Sequence, residues 1–309
     1  MALKTKIVVA GIGGVGGYFG GLLARKYENS DAVEICFLAR GEHLNQIRAN
    51  GLRVISDSAE FVARPAWATD NANEIGIADY ILICSKSYDL ETIIESLKPC
   101  ISESTVVLPL LNGVDHVGKI RRFLPGASVI EGCVYIVSRI KEAGVIENSG
   151  KHQILSFGPG NNTDGRLVLL EKILKDAGTD AALSDHISTI VWEKFIFIAA
   201  IGTATSWFDC SIGKLMAEKE ATVVEMVEEV KAIAMATGIP VDKDITVKTI
   251  AKLRLLPYAT TSSMHRDYQN RKPHTEVESL TGYVVRAGRE LNIETPLFNK
   301  AYLHLTGKG

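Results

Sequence analysis

The chain has 309 residues, of which 46% are hydrophobic and 23% charged, with a formal net charge of −2 at pH 7. That length leads to an expectation of two domains of ~150 residues each, and the composition to an ordinary globular interior. The near-neutral balance argues against a nucleic-acid-binding or anionic-membrane-binding surface. The five cysteines (36, 84, 100, 133 and 210) are scattered and form no C-x-x-C pair, which fits a reducing compartment without structural disulfides or zinc. No metal-ligand spacing is present. The sequence enters an apolar strand almost at once, leaving no room for a signal peptide, so the expectation is a cytoplasmic protein. The apolar run Phe195–Ile201 is too short to span a membrane.

In chain order, Ile7–Ala10 reads as a buried strand. Gly11, Gly13 and Gly16 follow in G-x-G-x-x-G spacing, and a helix runs on through about Lys26. Each glycine has a job in binding a dinucleotide. Gly11 permits the tight strand-to-helix turn, Gly13 lets the backbone approach a pyrophosphate, and Gly16 lets the helix pack close to the strand. The N–H groups and dipole of the helix N-terminus then favour the phosphates. A ligand-free glycine-rich turn is the alternative. Further glycines at 14, 17, 20 and 21 dilute the pattern without breaking it.

Val33–Leu38 reads as the second strand and ends in Ala39-Arg40-Gly41. A dinucleotide unit that prefers NAD usually carries an acid at this strand end. Here Arg40 stands there, and a guanidinium suits a 2′-phosphate, which favours NADP. The plain alternative is a surface arginine paired with Glu42. Leu52–Ile55 and Phe61–Ala66 read as a hairpin around Ser56-Asp57-Ser58. Asp79–Cys84 is another buried strand, followed by Ser85-Lys86-Ser87-Tyr88-Asp89 and a helix to about Leu97. Thr105–Leu110 is the next strand, with Leu111-Asn112-Gly113 before a helix to about Phe123. Val129–Val137 and Gly144–Phe157 supply later strands. Strands alternating with helices imply a Rossmann-like, doubly wound, mostly parallel sheet, with its ligand crevice beyond the carboxyl ends of the strands. The glycine loop, Arg40, Lys86, Asn112 and Ser138 all fall at or after such ends.

The character changes near Asp180. Residues 1–180 read as the NADP-binding domain and 181–309 as an all-α domain for substrate and catalysis. Helical periods run through His186–Trp207, Glu218–Thr237, Ile245–Lys252, Thr275–Leu291 and Pro296–Leu305. Ser184 is the expected N-cap of the first, and Gly238-Ile239-Pro240 a helix stop. The stretch Trp192–Ile201 is apolar nearly all round after Lys194. Desolvation there would lower the pKa of the lysine and make it a proton donor near neutral pH. A snorkelling lysine, or one paired with Glu193 or Asp185, fits the composition equally well.

Taken together these segments resemble the ketopantoate reductase family, the NADP-dependent 2-dehydropantoate 2-reductases. The resemblance runs through the glycine motif, Leu38-Ala39-Arg40-Gly41, Cys84-Ser85-Lys86-Ser87 and Leu111-Asn112-Gly113. It continues in Trp192-Glu193-Lys194-Phe195, Thr261-Ser262-Ser263-Met264 and His274-Thr275-Glu276, which is taken to open the long helix. Each motif is weak alone, and their order and spacing carry the resemblance.

The resemblance implies reduction of 2-dehydropantoate (ketopantoate) to pantoate with NADPH, a step toward pantothenate. It implies that Gly11-Ile12-Gly13-Gly14-Val15-Gly16 hold the pyrophosphate and Arg40 the 2′-phosphate, with Lys86, Ser138 and Glu276 completing the cofactor site. Asn112 would lie between nicotinamide and substrate, Lys194 would be the general acid, and Ser263 would bind the substrate carboxylate or a nearby hydroxyl. Lys194 is expected on a buried helix at a cleft between the two domains. Lys86 and Asn112 could instead be ordinary loop residues, Ser263 a helix cap, and Glu276 a first-turn acid favoured by the helix dipole. His116, His265 and His274 read as solvated or structural. The family suggests a monomer or homodimer.

The sequence departs from the family at Ile198 and Gly202, four and eight residues after Lys194, where the family usually carries asparagines. One extra residue also falls between Ser263 and Glu276, around Pro273-His274. A less polar and roomier substrate pocket follows from Ile198 and Gly202, so a more apolar 2-keto acid is the rival substrate. A non-catalytic NADP-sensing protein is the reading from outside the enzymes.

Overall fold

A computed structural model of the chain describes residues 4–57, 59–150, 152–159 and 164–307. Ser58, at the turn of the expected hairpin, and Lys151, inside the expected strand region 144–157, lie outside them. The chain divides into two compact units, Met1–Leu111 with His116–Ile187, and Asn112–Asp115 with Ser188–Gly309.

The first unit carries β1 (Thr5–Ala10), α1 (Gly14–Lys26), β2 (Val33–Leu38), α2 (Gly41–Asn50), β3 (Leu52–Ser56), β4 (Glu60–Ala63), β5 (Trp67–Thr69), β6 (Tyr80–Ile83), α3 (Leu90–Leu97), β7 (Val106–Pro109), α4 (His116–Phe123), β8 (Ser128–Val129), β9 (Glu131–Tyr135), β10 (Ser138–Glu142), β11 (Val145–Asn148), β12 (Ile154–Gly158), α5 (Gly165–Asp176) and β13 (Asp180–Leu183). Six strands form one sheet in the order β5-β2-β1-β6-β7-β8, with every pairing parallel. Renumbered within the sheet, this is the doubly wound order 3-2-1-4-5-6, whose strand direction of travel reverses between β1 and β6.

The two faces of this sheet follow from the two-residue period of a strand. Ile7, Val9, Ile35 and Phe37 point into a core shared with Phe19 and Leu23 of α1 and with Leu170 and Leu174 of α5. Val8, Ala10, Cys36 and Ile81 point to the other face, against Leu90 and Ile94 of α3 and Ile120 of α4. Each fully buried aliphatic side chain of this kind contributes roughly 1.5–3 kcal/mol. This burial on both faces explains why the strands read as unbroken apolar runs.

Two smaller sheets complete the unit, ordered β10-β11-β3-β4 and β13-β12-β9. The expected hairpin is present as β3–β4, antiparallel with Leu52 opposite Ala63; β10, which falls between the expected strands 129–137 and 144–157, pairs antiparallel with β11. The surplus glycines of α1 are explained here, and they do not dilute the motif. A Cβ on Gly17 would lie 2.5 Å from the Ile146 side chain, and one on Gly21 2.7 Å from Val54. A Cβ on Gly20 would come within 3.1 Å of Phe37. Thus α1 lies between the six-stranded and four-stranded sheets, and glycines let both approach.

The second unit holds α6 (Ile187–Trp207), α7 (Ile212–Ala236), α8 (Ile245–Arg254), α9 (Ser263–Gln269), α10 (Thr281–Leu291) and α11 (Pro296–Leu305), with no strand among its described residues. By length and composition α6, at 21 residues, is apolar enough to cross a membrane, although the run Phe195–Ile201 looked too short. It is nonetheless a core helix: Phe195, Ile196, Ala199, Ala200 and Ala204 are at most 1% exposed within a cluster with Val227, Val230 and Phe298. Its buried hydroxyls are satisfied, Thr203 by Thr281 at 2.7 Å and Ser206 by the Gly202 carbonyl at 2.8 Å.

Several expectations need correction. β5, α2, α5, β13 and α9 carry no strong periodicity and were not anticipated. The strand β13 begins at Asp180 and pairs parallel with β12, so sheet structure continues past the point where the sequence seemed to turn helical. Ser184 accepts from the His186 N–H at 3.1 Å, two residues on, so it forms the turn ahead of α6 and is not its N-cap. α7 starts at Ile212, capped by Ser211, and breaks its helical geometry at Lys219, so the expected start at Glu218 marks the kink. α10 starts at Thr281 and not at Thr275. Residues 276–280 form a turn in which Leu280 N–H bonds the Glu276 carbonyl and Gly282 N–H the Val277 carbonyl. The buried Val277 and Leu280 carry the apolar period backwards into that turn. Gly238 does end α7, with φ +81°.

Candidate functional site

The first group of residues gathers at the β1/β6 switch point. β1 and β6 are flush, with Ala10 opposite Ile83. Gly11 has φ +92°, and a Cβ there would sit 3.0 Å from the backbone N of Ser85, so the turn has no room for a side chain. A Cβ on Gly16 would lie 2.1 Å from the Gly11 carbonyl oxygen. Gly13 is the N-cap of α1, and a Cβ on it would meet nothing within 4 Å. The loop is therefore tight against protein at Gly11 and Gly16 and open at Gly13. That open space faces a helix N-terminus with uncapped N–H groups, which fits an anion such as a pyrophosphate. Ile12 is buried and Val15 half-buried, so these two support the loop with their side chains.

Ser85, absent from the expected site, belongs to it by geometry. Its hydroxyl is buried and finds no partner among the described residues, which is costly unless a ligand or water supplies one. No sequence signal distinguishes it from any other serine at a strand end. Beside it the Cys84 thiol is pushed up to about 12 by burial, so it is a packing group here and not a nucleophile.

Arg40 caps the carboxyl end of β2 as the N-cap of α2. Its guanidinium is 80% exposed and pairs with Asp89 at 3.3 Å, not with Glu42. Glu42 accepts instead from Gln46 and Asn45. Lys86 precedes the short turn Ser87–Asp89, so Lys86 and Arg40 flank one stretch of chain. Ser138 reaches the loop by another route than expected. It does not end a strand of the parallel sheet; it opens β10 in the four-stranded sheet, with its hydroxyl on the Glu147 carbonyl at 3.2 Å. Its carbonyl oxygen stands where a Cβ on Gly14 would be 2.2 Å away. Gly14 is therefore a close-approach position.

The second group lies in the other unit. Lys194, half-buried on α6, donates from Nζ to Asn112 Oδ1 at 2.9 Å. Asn112 Nδ2 donates in turn to Glu276 Oε1 at 3.4 Å. Glu276 is 2% exposed. An ammonium at one end and a carboxylate at the other fix the amide: flipping it would point NH₂ at the ammonium and oxygen at the carboxylate. Gly113, at φ +112°, turns the chain directly after Asn112. Glu193 accepts from the Asp242 N–H at 3.2 Å, so its carboxylate is directed at that loop.

Around the lysine, Trp192 and Phe195 pack edge-on against Tyr283 of α10, with ring centroids 6.1 and 5.4 Å apart. Such pairs add ~0.5–1.5 kcal/mol each beyond burial and hold α6 to α10. Burial pushes the Tyr283 hydroxyl up to about 12, and Asp115 adds to the shift.

The remaining expectations divide. Glu276 lies five residues ahead of α10, so it is not a first-turn acid. Ser263 is exposed at the first position of α9, and the cap is Ser262, which accepts from the His265 N–H. Ile198 is half-buried one turn beyond Lys194. Gly202 leaves less room than expected: a Cβ there would be in ordinary contact with Leu280 at 3.5 Å and Met264 at 3.8 Å. Gly202 is buried, with the buried Met264 and Leu280 already beside it, so it adds no open space. His116 and His265, expected solvated or structural, are 3% and 2% exposed. His274 is exposed.

Two family profiles match the chain. The one described as ketopantoate reductase PanE/ApbA covers residues 7–162, and its C-terminal counterpart covers residues 186–308. An uncharacterized oxidoreductase of Bacillus subtilis, YkpB, is 29% identical over 304 residues, covering 97% of each chain. A 2-dehydropantoate 2-reductase of Streptococcus pyogenes is 26% identical over 295 residues, covering 94% of this chain and 93% of that protein. Among solved structures, a 2-dehydropantoate 2-reductase from Porphyromonas gingivalis superimposes with a TM-score of 0.88 at 36% identity, covering 98% of this chain and all of the other.

Proposed function

Because the chain belongs to the ketopantoate reductase family of oxidoreductases, we propose that it reduces a small 2-keto acid with NADPH, with 2-dehydropantoate the leading substrate. The observation that carries this reading is the part-buried chain Lys194–Asn112–Glu276, anchored on the buried Glu276. It supplies one mobile proton on a group whose orientation is fixed from behind.

In this reading the first unit holds the dinucleotide. Gly13 and the N-terminus of α1 face the pyrophosphate, Gly11 and Gly16 shape the turn, and Lys86 and Ser138 flank the site. Arg40 takes the 2′-phosphate, and the absence of an acid at the end of β2 favours NADPH over NADH. The bound cofactor supplies the hydride that reduces the keto carbon. Negative charge then grows on the ketone oxygen, and the Lys194 ammonium stabilises it and gives up its proton from Nζ. Asn112 holds Nζ through Oδ1 and Glu276 holds Asn112, so Glu276 acts behind the lysine. Ser263 takes the substrate carboxylate or a hydroxyl.

Ile198 and Gly202 favour a second reading within the same chemistry, a 2-keto acid with a more apolar side chain. Steady-state NADPH oxidation with 2-dehydropantoate, 4-methyl-2-oxopentanoate and phenylpyruvate separates the two. The expected result is a kcat/KM above ~10⁴ M⁻¹s⁻¹ for 2-dehydropantoate. A value far below that, with another acid above it, would hand the site to the second reading. Tight NADPH binding with no oxidation on any acid would overturn both.

A further inference from the structure

We propose that His265 is a positioning residue for the segment Thr261–Ser263, fixing it to the end of the helix that carries Lys194. The proposal rests on the reading of Ser263 as a substrate contact. His265 is 2% exposed on α9. Its Nε2 lies 2.8 Å from Asp209 Oδ1, and its Nδ1 is hydrogen-bonded to the Thr261 hydroxyl. Gln269 Nε2 donates to the same Asp209 oxygen at 3.1 Å. A carboxylate can only accept, so Nε2 carries the hydrogen shared with Asp209, while Nδ1 and the Thr261 hydroxyl share the other bond. A second tie runs in parallel: the Ser262 hydroxyl accepts from the His265 N–H at 3.0 Å and meets Thr205 Oγ1 at 2.8 Å. Thr205 in turn donates to the Ile201 carbonyl inside α6 at 2.7 Å.

Ser263 is itself exposed, so its place is set by what holds the residues on either side. Thr261 is held through His265 to Asp209, Ser262 through Thr205 to α6, and Met264 is 1% exposed in the core. Asp209 shows that the first of these ties has a cost. It lies two residues past α6 with φ +45°, a left-handed position where glycine is normally preferred and a side chain is strained. The carboxylate is kept there and engaged by His265 and Gln269, and the bond from His265 is the main cause holding its carboxyl below the usual range.

The left-handed position supplies a variant that separates positioning from folding. Asp209→Gly relieves the backbone and removes only the carboxylate. Full-length wild type, Asp209→Gly, Asp209→Asn and Thr261→Val are compared by steady-state kinetics with NADPH and the three keto acids named above, alongside NADPH titration and thermal melting. Asp209→Gly and Thr261→Val should raise KM for the keto acid roughly tenfold, with kcat within about twofold and NADPH affinity unchanged, because a misplaced binding group loses ground and transition state alike. Asp209→Asn, whose Oδ1 still accepts from Nε2, should restore KM. A folded Asp209→Gly protein with wild-type KM overturns the proposal while leaving the reductase reading intact. A wild-type protein that oxidises NADPH with none of the acids overturns the reductase reading, and this one with it.

Discussion

The glycine loop and the lysine helix are two ways of building a site from one chain. The loop is made of backbone: Gly11, Gly13, Gly14 and Gly16 matter for the atoms they lack, and open space and close contact alternate along six residues. The lysine site is made of side chains from places far apart in sequence, with Asn112 and Glu276 separated by 164 positions. A backbone site is written locally and tolerates little substitution anywhere in it. A side-chain site is written globally, and its members are separable by mutation. The two sites should therefore fail differently when cut.

The largest expected effect is at Lys194. Lys194→Ala should lower kcat by ~10²–10⁴-fold, the usual worth of a positioned general acid. NADPH affinity, measured by titration, should barely change, since the proposed reading gives this lysine to the substrate and not to the cofactor. An alanine variant with near wild-type kcat would refute the role of the lysine and leave the backbone site as the whole of the function.

Arg40→Ala comes next and is the one side-chain substitution in the backbone site. It should weaken NADPH binding by ~1.5–3 kcal/mol, the scale of a charge-assisted hydrogen bond. NADH should be nearly unaffected. Equal losses for both cofactors would show that Arg40 does not face a 2′-phosphate.

Within the loop itself, a pair of alanines sharpens the contrast. Gly16→Ala puts a methyl 2.1 Å from the Gly11 carbonyl oxygen. Backbone must shift, at roughly 1–3 kcal/mol of stability for overpacking, which outweighs the ~0.5–1 kcal/mol that alanine gains over glycine in a helix. Gly13→Ala meets nothing within 4 Å, so its melting temperature should stay near wild type while NADPH and NADH binding both weaken. If Gly13→Ala bound both cofactors normally, the open space at Gly13 would not be where the pyrophosphate approaches.

These differences also mark what could be read before the structure was in hand. The central strands of the six-stranded sheet were legible because a strand buried on both faces must be apolar at every position, as Ile7–Ala10 and Tyr80–Ile83 are, whereas the short, partly exposed edge strand β5 was not. The glycine turn was legible because its spacing matches the close contacts at Gly11 and Gly16 that leave no room for a side chain. Lys194 stood out because an ammonium in an apolar helix demands a partner. That Asn112 is that partner, held by Glu276, was not legible. Hydrogen bonds between distant residues leave no periodic trace, and Glu276 was misplaced onto a helix because Val277 and Leu280 mimic one. Ser85 was missed because nothing in a sequence shows that a hydroxyl will be buried alone. The surplus glycines of α1 looked like noise because the sheet they admit is made of β3, β4, β10 and β11, whose packing on α1 only the tertiary structure reveals.

The smallest expected effect tests the seam between the two kinds of site. Arg40 is the exposed, separable part of an otherwise backbone-built pocket, and Asp89 holds it at 3.3 Å. On the proposed reading, a 2′-phosphate competes with that carboxylate for the same guanidinium. With side chains 80% and 36% exposed, the pair is screened by water and worth no more than ~0.2–1 kcal/mol. Asp89→Asn removes the competing charge and keeps the shape of the turn that starts after Lys86. NADPH affinity should rise by up to about fivefold, the upper end of that range, while NADH stays level. The gain should shrink at high salt, because exposed charges are screened within about 10 Å at 0.1 M ionic strength. A loss of NADPH affinity instead would show that Asp89 aims Arg40 at the phosphate. Arg40 would then belong, like Lys194, to a site built from side chains that hold one another.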